Sequence, residues 1–288
     1  MPVKNKLTFV YALSGLLAVL LTVSSVTGLL YGGRGLYDPY PASVAGMVGQ
    51  DLVALAVIVP LLVASMSLTA RGSIRGLLLW AGSLLWAVYS YYFYVVGGFN
   101  ALFLVYIAIV STSLYSLLSL LFALDPEEVR ARFGVGTPVR LVGGFFVGYS
   151  LLFAIMWVGM SLAGVAAGTE PDEVTHSVVV IDLSVLLPLL LFGGLRLWHR
   201  MPWGYVLGGL LLVKMATSGF TLAFTTALGW AWSGAINLLN IFLLVLFTVM
   251  TAGALALLVP YLRNIKERGS KEPALAGVAR SPAKGGSR

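Results

Sequence analysis

The stretch from His176 to Ser218, HSVVVIDLSVLLPLLLFGGLRLWHRMPWGYVLGGLLLVKMATS, consists of two apolar runs joined by a short basic turn. At about 1.5 Å of rise per residue, each run is long enough to cross the roughly 30 Å hydrocarbon core of a bilayer as a helix. Asp182 lies inside the first run and Lys214 near the middle of the second. An ionisable side chain at that depth costs roughly 3 kcal/mol or more unless it faces a protein interior or a water cavity and has a partner. Two such groups in adjacent runs therefore mark where function is to be sought.

The rest of the chain has the same character. Apolar residues make up 59% of it and charged residues only 10%, far outside the range of a soluble globular domain. Eight apolar segments are long enough to span, at about 8–31, 50–69, 76–97, 101–124, 138–166, 178–198, 203–227 and 235–259. They are rich in Leu, Val and Ala and lack the alternation of a barrel strand, so the fold class is all-α, a polytopic membrane protein with eight transmembrane helices. Lys4 and Lys6 before the first run raise the alternative of a cleaved signal peptide, but the run is longer than a signal core and is expected to stay as the first helix.

The net charge of +7 does not point to nucleic acid, because the cations are sorted by side. With the N-terminus inside, Arg34 falls in an outer loop and Lys214 within a span, and the other sixteen of the eighteen Lys and Arg residues are cytoplasmic. That asymmetry is what the positive-inside rule demands of a cytoplasmic (inner) membrane protein with both termini in the cytoplasm. The lipid bilayer is the partner to expect, and the sequence says nothing of oligomeric state.

A shift of 128 residues pairs Pro60 with Pro188, Leu61 and Leu62 with Leu189 and Leu190, Gly76 with Gly204 and Ser90 with Ser218. A Pro and a Gly held sixteen apart around a basic turn, in both copies, suggest a duplication of four helices. An even number of crossings per unit makes the repeats parallel. The expected division is a first repeat over 1–124, a cytoplasmic connector over 125–137, a second repeat over 138–261 and a basic, disordered tail over 262–288.

Depth then gathers the polar groups. Asp182 aligns with Ala54, and Asp51 lies one turn further out on the same helix face; Lys214 aligns with Trp86. Asn237 and Asn240, Asn100, and the tyrosines of YSYYFY, Tyr89 and Tyr92 on one face and Tyr91 and Tyr94 on another, belong to the same leaflet. At least one tyrosine pair must line protein interior, since four in six positions cannot all face lipid. The expectation is one outward-facing polar pocket holding Asp182, Lys214, Asp51, Asn237, Asn240, Asn100, Tyr89 and Tyr92. It would bind or transport a small polar or anionic solute, or protons. The competing reading is a buried Asp182–Lys214 pair that only fixes helix register.

Chemical machinery is otherwise sparse. With no cysteine, thiolate chemistry and Cys-ligated metals are excluded, and no Walker loop, HExxH or GxSxG occurs. His176 and His199 fall on opposite sides of the membrane and cannot share a metal. No cofactor or metal is expected, and enzyme action is disfavoured; a lipid-modifying enzyme using Asp51, Asp182 or His176, and a non-catalytic accessory subunit, are the alternatives. The QDL opening the second helix, YSYYFYVVGGFNALFLVY across the third and fourth, and the MPWGY turn into VLGGLLLVK resemble an uncharacterised family of bacterial multi-pass integral membrane proteins. That resemblance covers the chain to about Pro260 and implies no activity.

Overall fold

A computed structural model describes residues 7–37, 41–170, 173–234 and 238–267. Among these residues the chain is all-helical, without strands. The helices are α1 (Thr8–Tyr31), α2 (Pro41–Val53), α3 (Val59–Ala70), α4 (Ile74–Val96), α5 (Phe103–Ala123), α6 (Pro126–Ala131), α7 (Val139–Ala167), α8 (Glu173–Ile181), α9 (Leu187–Trp198), α10 (Pro202–Ser233) and α11 (Leu238–Arg263). Two π-helical turns, Ala54–Ile58 and Asp182–Leu186, join α2 to α3 and α8 to α9, so each pair forms one long rod. Both π turns run into a proline, Pro60 and Pro188, which cannot donate to the preceding turn and would collide with it in a regular α-helix. A wider turn placed just before relieves that conflict.

Seven rods are long and apolar enough to cross a membrane: α1, α2–α3, α5, α7, α8–α9, α10 and α11. The segment expected as a further span, α4, falls short in apolarity because of its Trp and Tyr content. Its place explains that composition. It runs from the basic end of the bundle, where Arg75 meets the C-terminal segment, to the far end, where the Tyr94 hydroxyl meets the Met47 carbonyl. Protein surrounds it, with Trp80, Trp86, Tyr91 and Tyr94 all buried. Its partner in the centre is α10. A Cβ on Gly82 would collide with Val213, and one on Gly209 with Leu78, so the two backbones approach as closely as glycine permits.

The basic end is tied together by more than helix packing. Asp125 caps α6, accepting from the Glu127 amide at 3.1 Å. Residues 264–267, assigned by sequence to the tail, continue from α11 and fold back onto the connector: the Gly134 amide donates to the Asn264 carbonyl (2.9 Å) and Lys266 to Arg132 (2.8 Å). The Glu267 carboxylate then receives the Ser73 hydroxyl (2.8 Å) and the Ile74 and Arg75 amides (3.0 Å each) at the start of α4. Residues 268–288 lie outside the described part.

The two halves differ at the far end. In α1 the far half buries Leu21, Ser24, Ser25 and Gly28, and α5 buries Tyr106 and Ile109 against it. In α7 no side chain beyond Phe153 is buried, in α10 none beyond Thr221, and in α11 none among the described residues before Ala254. Among the described residues, fully buried side chains reach the rim in the first half of the bundle, and in α7, α10 and α11 they stop at the level of Asp182 and Thr221.

Candidate functional site

Asp182 begins its π turn and is 4% exposed. Its Oδ1 accepts from the Tyr89 hydroxyl of α4 at 2.9 Å and its Oδ2 from the Trp157 indole N–H of α7 at 3.0 Å. Lys214 of α10, 3% exposed, places Nζ 3.5 Å from the centroid of the same Tyr89 ring. Tyr89 is thus a shared part, with its edge given to the acid and its face to the amine. The expected meeting of Asp182 and Lys214 occurs through this ring. Among the described residues no ion pair or hydrogen bond holds the Lys214 ammonium; its attractions are the ring quadrupole and the charge of the nearby Asp182 carboxylate. One turn along α10, Ser218 presents a buried hydroxyl that has no hydrogen-bond partner among the described residues.

The surroundings fix these groups in place. Tyr149, Phe153 and Trp157 follow one another at four-residue intervals on α7, with Tyr149 and Phe153 stacked at 4.4 Å, so the Trp157 indole is held from below. The Ser150 hydroxyl donates to the Leu187 carbonyl at 2.7 Å and locks α7 to the rod that carries Asp182.

Asp51 does not join this group. It is fully buried in a second cage, where its carboxylate accepts from the Tyr37 hydroxyl and from the Tyr94 hydroxyl, 3.0 Å away. Tyr91 stacks on Tyr94 at 4.8 Å and faces the Ser25 hydroxyl at 3.4 Å. Gly28 of α1 is where this cage has no room, since a Cβ there would strike both the Asp51 carboxylate and the Tyr37 hydroxyl. Burial, and then the Asp51 carboxylate, push the Tyr37 hydroxyl far above its ordinary range, so it stays a donor.

The remaining expected site residues lie apart. Asn100 sits at the rim and accepts from the Leu102 amide at 2.9 Å, which starts α5. Tyr92 is half-buried, edge-on to Phe93, and reaches neither carboxylate. The side chains of Asn237 and Asn240 lie outside the described residues. The structure adds Trp157, Ser218, Tyr37 and Tyr94. Only Tyr94 carried a signal, as a member of one of the two tyrosine pairs of which at least one must line the interior. Trp157 resembles any membrane tryptophan and Tyr37 any loop tyrosine. Among the described residues no cluster of His, Asp and Glu could hold a metal ion.

Comparison with known family models, characterised proteins and solved structures gives no significant match.

Proposed function

We propose that the chain is an eight-crossing protein of the cytoplasmic membrane, built of two parallel four-helix repeats, that binds or transports a small polar or anionic solute, or protons, through an outward-facing pocket floored by Asp182, Tyr89 and Lys214. The basic end is the cytoplasmic one by the positive-inside rule, and α4 is the eighth crossing. Correspondences at a shift of 128 residues support the repeats: Ala54–Ile58 falls on Asp182–Leu186, Ala70 on Trp198, and Ile74, the first residue of α4, on Pro202, the first of α10. Gly72 and Arg200 also correspond, and both have positive φ.

The observation that carries the reading is the Lys214 ammonium, sunk in the bundle beside an aromatic face and attracted by Asp182, with no hydrogen-bond acceptor among the described residues. A pair that only fixed register would be expected to meet in a direct ion pair, and among the described residues Asp182 and Lys214 attract each other without one. Here the acid has two donors of its own and the amine retains three N–H groups to give. An ammonium in that condition is worth its cost only if something else arrives to accept from it.

Purified protein in proteoliposomes, loaded with a pH-sensitive dye and challenged with radiolabelled small anions, tests this. Lys214→Met should lose binding and flux while keeping the monodisperse profile of the wild type. Intact flux in a folded Lys214→Met would end the proposal. Unfolding of Lys214→Met and of Asp182→Asn, each rescued in the double variant, would assign the groups to architecture instead.

A further inference from the structure

We infer that the pocket takes an amphiphile with an anionic head group, which enters sideways from the outer leaflet between α7 and α11. The inference rests on the outward-facing pocket just proposed and adds the class of ligand and its route.

The first step is a count of donors and acceptors at the floor. Both Asp182 oxygens are engaged, by Tyr89 and Trp157, whereas Lys214 keeps its ammonium donors and Ser218, one turn away, keeps a buried hydroxyl without a partner. The surplus is mainly of donors, the ammonium supplying three and the hydroxyl one. A complementary ligand must bring acceptor oxygens, and next to an ammonium a negatively charged head fits best.

The second step concerns what lies above the floor. In the first half of the chain, α1 and α5 close over the cage of Asp51, with Ser24, Ser25, Gly28 and Tyr106 buried between them. In the second half the corresponding helices are α7 and α11, and their far halves hold no fully buried side chain: beyond Phe153 on one, and before Ala254 among the described residues of the other, every side chain is at least partly exposed. The flanks of that opening are mainly hydrocarbon, with Leu152 and Met156 on the face of α7 that carries Phe145, and Phe242 and Val249 on the face of α11 that carries Gly253. A cleft with such flanks, open sideways at the depth of lipid tails, admits chains in preference to water. A head that accepts from Lys214 and Ser218 therefore shares the cleft with hydrocarbon, and one molecule that supplies both satisfies floor and walls together. A free inorganic anion would satisfy the floor alone and would have to cross the apolar cleft unaccompanied.

Protein in maltoside micelles, titrated with dodecyl phosphate, dodecanol or inorganic phosphate while the unfolding midpoint is followed, separates the possibilities, because a ligand of the native state raises the midpoint in a saturable way. Dodecyl phosphate should raise it and the other two should not. Lys214→Met should weaken dodecyl phosphate by about tenfold or more, the loss of a charge-assisted contact, and Lys214→Arg should stay within a few-fold of wild type. Ser161 lies one turn beyond Trp157 on the face of α7 that meets Asp182. Ser161→Trp should therefore plug the cleft and weaken dodecyl phosphate while leaving the floor intact. If Lys214→Met does not fold, the Lys214→Arg and Ser161→Trp arms decide. Inorganic phosphate acting as strongly as dodecyl phosphate, with the same dependence on Lys214, would overturn the amphiphile and leave the anion pocket standing. Dodecanol acting as strongly as dodecyl phosphate would reduce the cleft to a greasy surface and overturn the inference. Failure of both phosphates to respond to Lys214 would remove the inference and the pocket together.

Discussion

Tyr89 performs two jobs with one side chain, and substitutions can take them apart. Tyr89→Phe keeps the ring beneath Lys214 and removes the hydroxyl that bonds Asp182. A buried carboxylate left with one donor in place of two costs about 1–3 kcal/mol, to be read as a lower unfolding midpoint in detergent, with anion binding largely retained. Tyr89→Leu loses the ring as well, and should lose binding too. In the other cage Gly28→Ala has no room for its methyl group, and overpacking of that kind costs about 1–3 kcal/mol; the change Gly15→Ala on the same helix should not destabilise, because nothing stands near that position. A Gly28→Ala variant as stable as wild type would mean that the Asp51 cage is looser than described. At this scale the sequence was a partial guide. Asp182 and Lys214 stood out because a charge inside an apolar run is costly and calls for a partner. Their link through Tyr89 was hidden, because it joins three helices far apart in the chain, and the separation of Asp51 was hidden because depth in the membrane says nothing about position around the bundle.

Among the long helices, α4 is the one whose composition falls short of a membrane span, and it is enclosed by protein. Apolarity measures what faces lipid, and α4 faces protein, so its Trp and Tyr side chains pack and hydrogen-bond in the interior: the Trp80 indole donates to the Ser14 hydroxyl at 3.0 Å, and that of Trp86 lies 3.3 Å from the Thr221 hydroxyl. The start of this helix is where the C-terminal segment docks. Ser73 caps it from within, and Glu267 supplies a carboxylate to two more of its free amides, where the helix dipole also favours negative charge. Glu267→Ala should cost about 1–2 kcal/mol, the scale of a lost cap, and should speed amide exchange at Gly134 and Lys266, whose bonds hold the segment to the connector. Unchanged exchange at those two amides would show that the segment is held without Glu267. Nothing in the sequence marked this contact. A Glu within a polar, basic stretch reads as solvated until its partner, far away in the chain, is known. The long helices themselves were legible, since apolar length is a local property, and the π turns were foreshadowed only by the prolines that follow them.

At the scale of the molecule the open question is how many times the chain crosses, because orientation, repeat symmetry and the outward sense of the pocket all follow from whether α4 counts. The chain has no cysteine, so single introduced cysteines report cleanly. Arg71 lies exposed in the turn before α4, Phe99 is 87% exposed in the turn after it, and Val135 is 93% exposed in the connector beyond α5. If α4 crosses, Arg71 and Val135 share one side of the membrane and Phe99 lies on the other. If α4 stays within one leaflet, Phe99 falls on the side of Arg71, and Val135 moves to the opposite one. In intact cells an impermeant maleimide should label Phe99→Cys directly, and should label Arg71→Cys and Val135→Cys only after the membrane is opened. Labelling of Arg71→Cys and Phe99→Cys from the same side would remove the eighth crossing. With it would go the even number of helices per unit, the parallel relation of the two halves, and the reason for placing the open end of the second half outside the cell. Three substitutions at exposed positions, none of which touches either carboxylate, are expected to leave the midpoint of unfolding within about 0.5 kcal/mol of wild type. The labelling pattern therefore reports topology and nothing else.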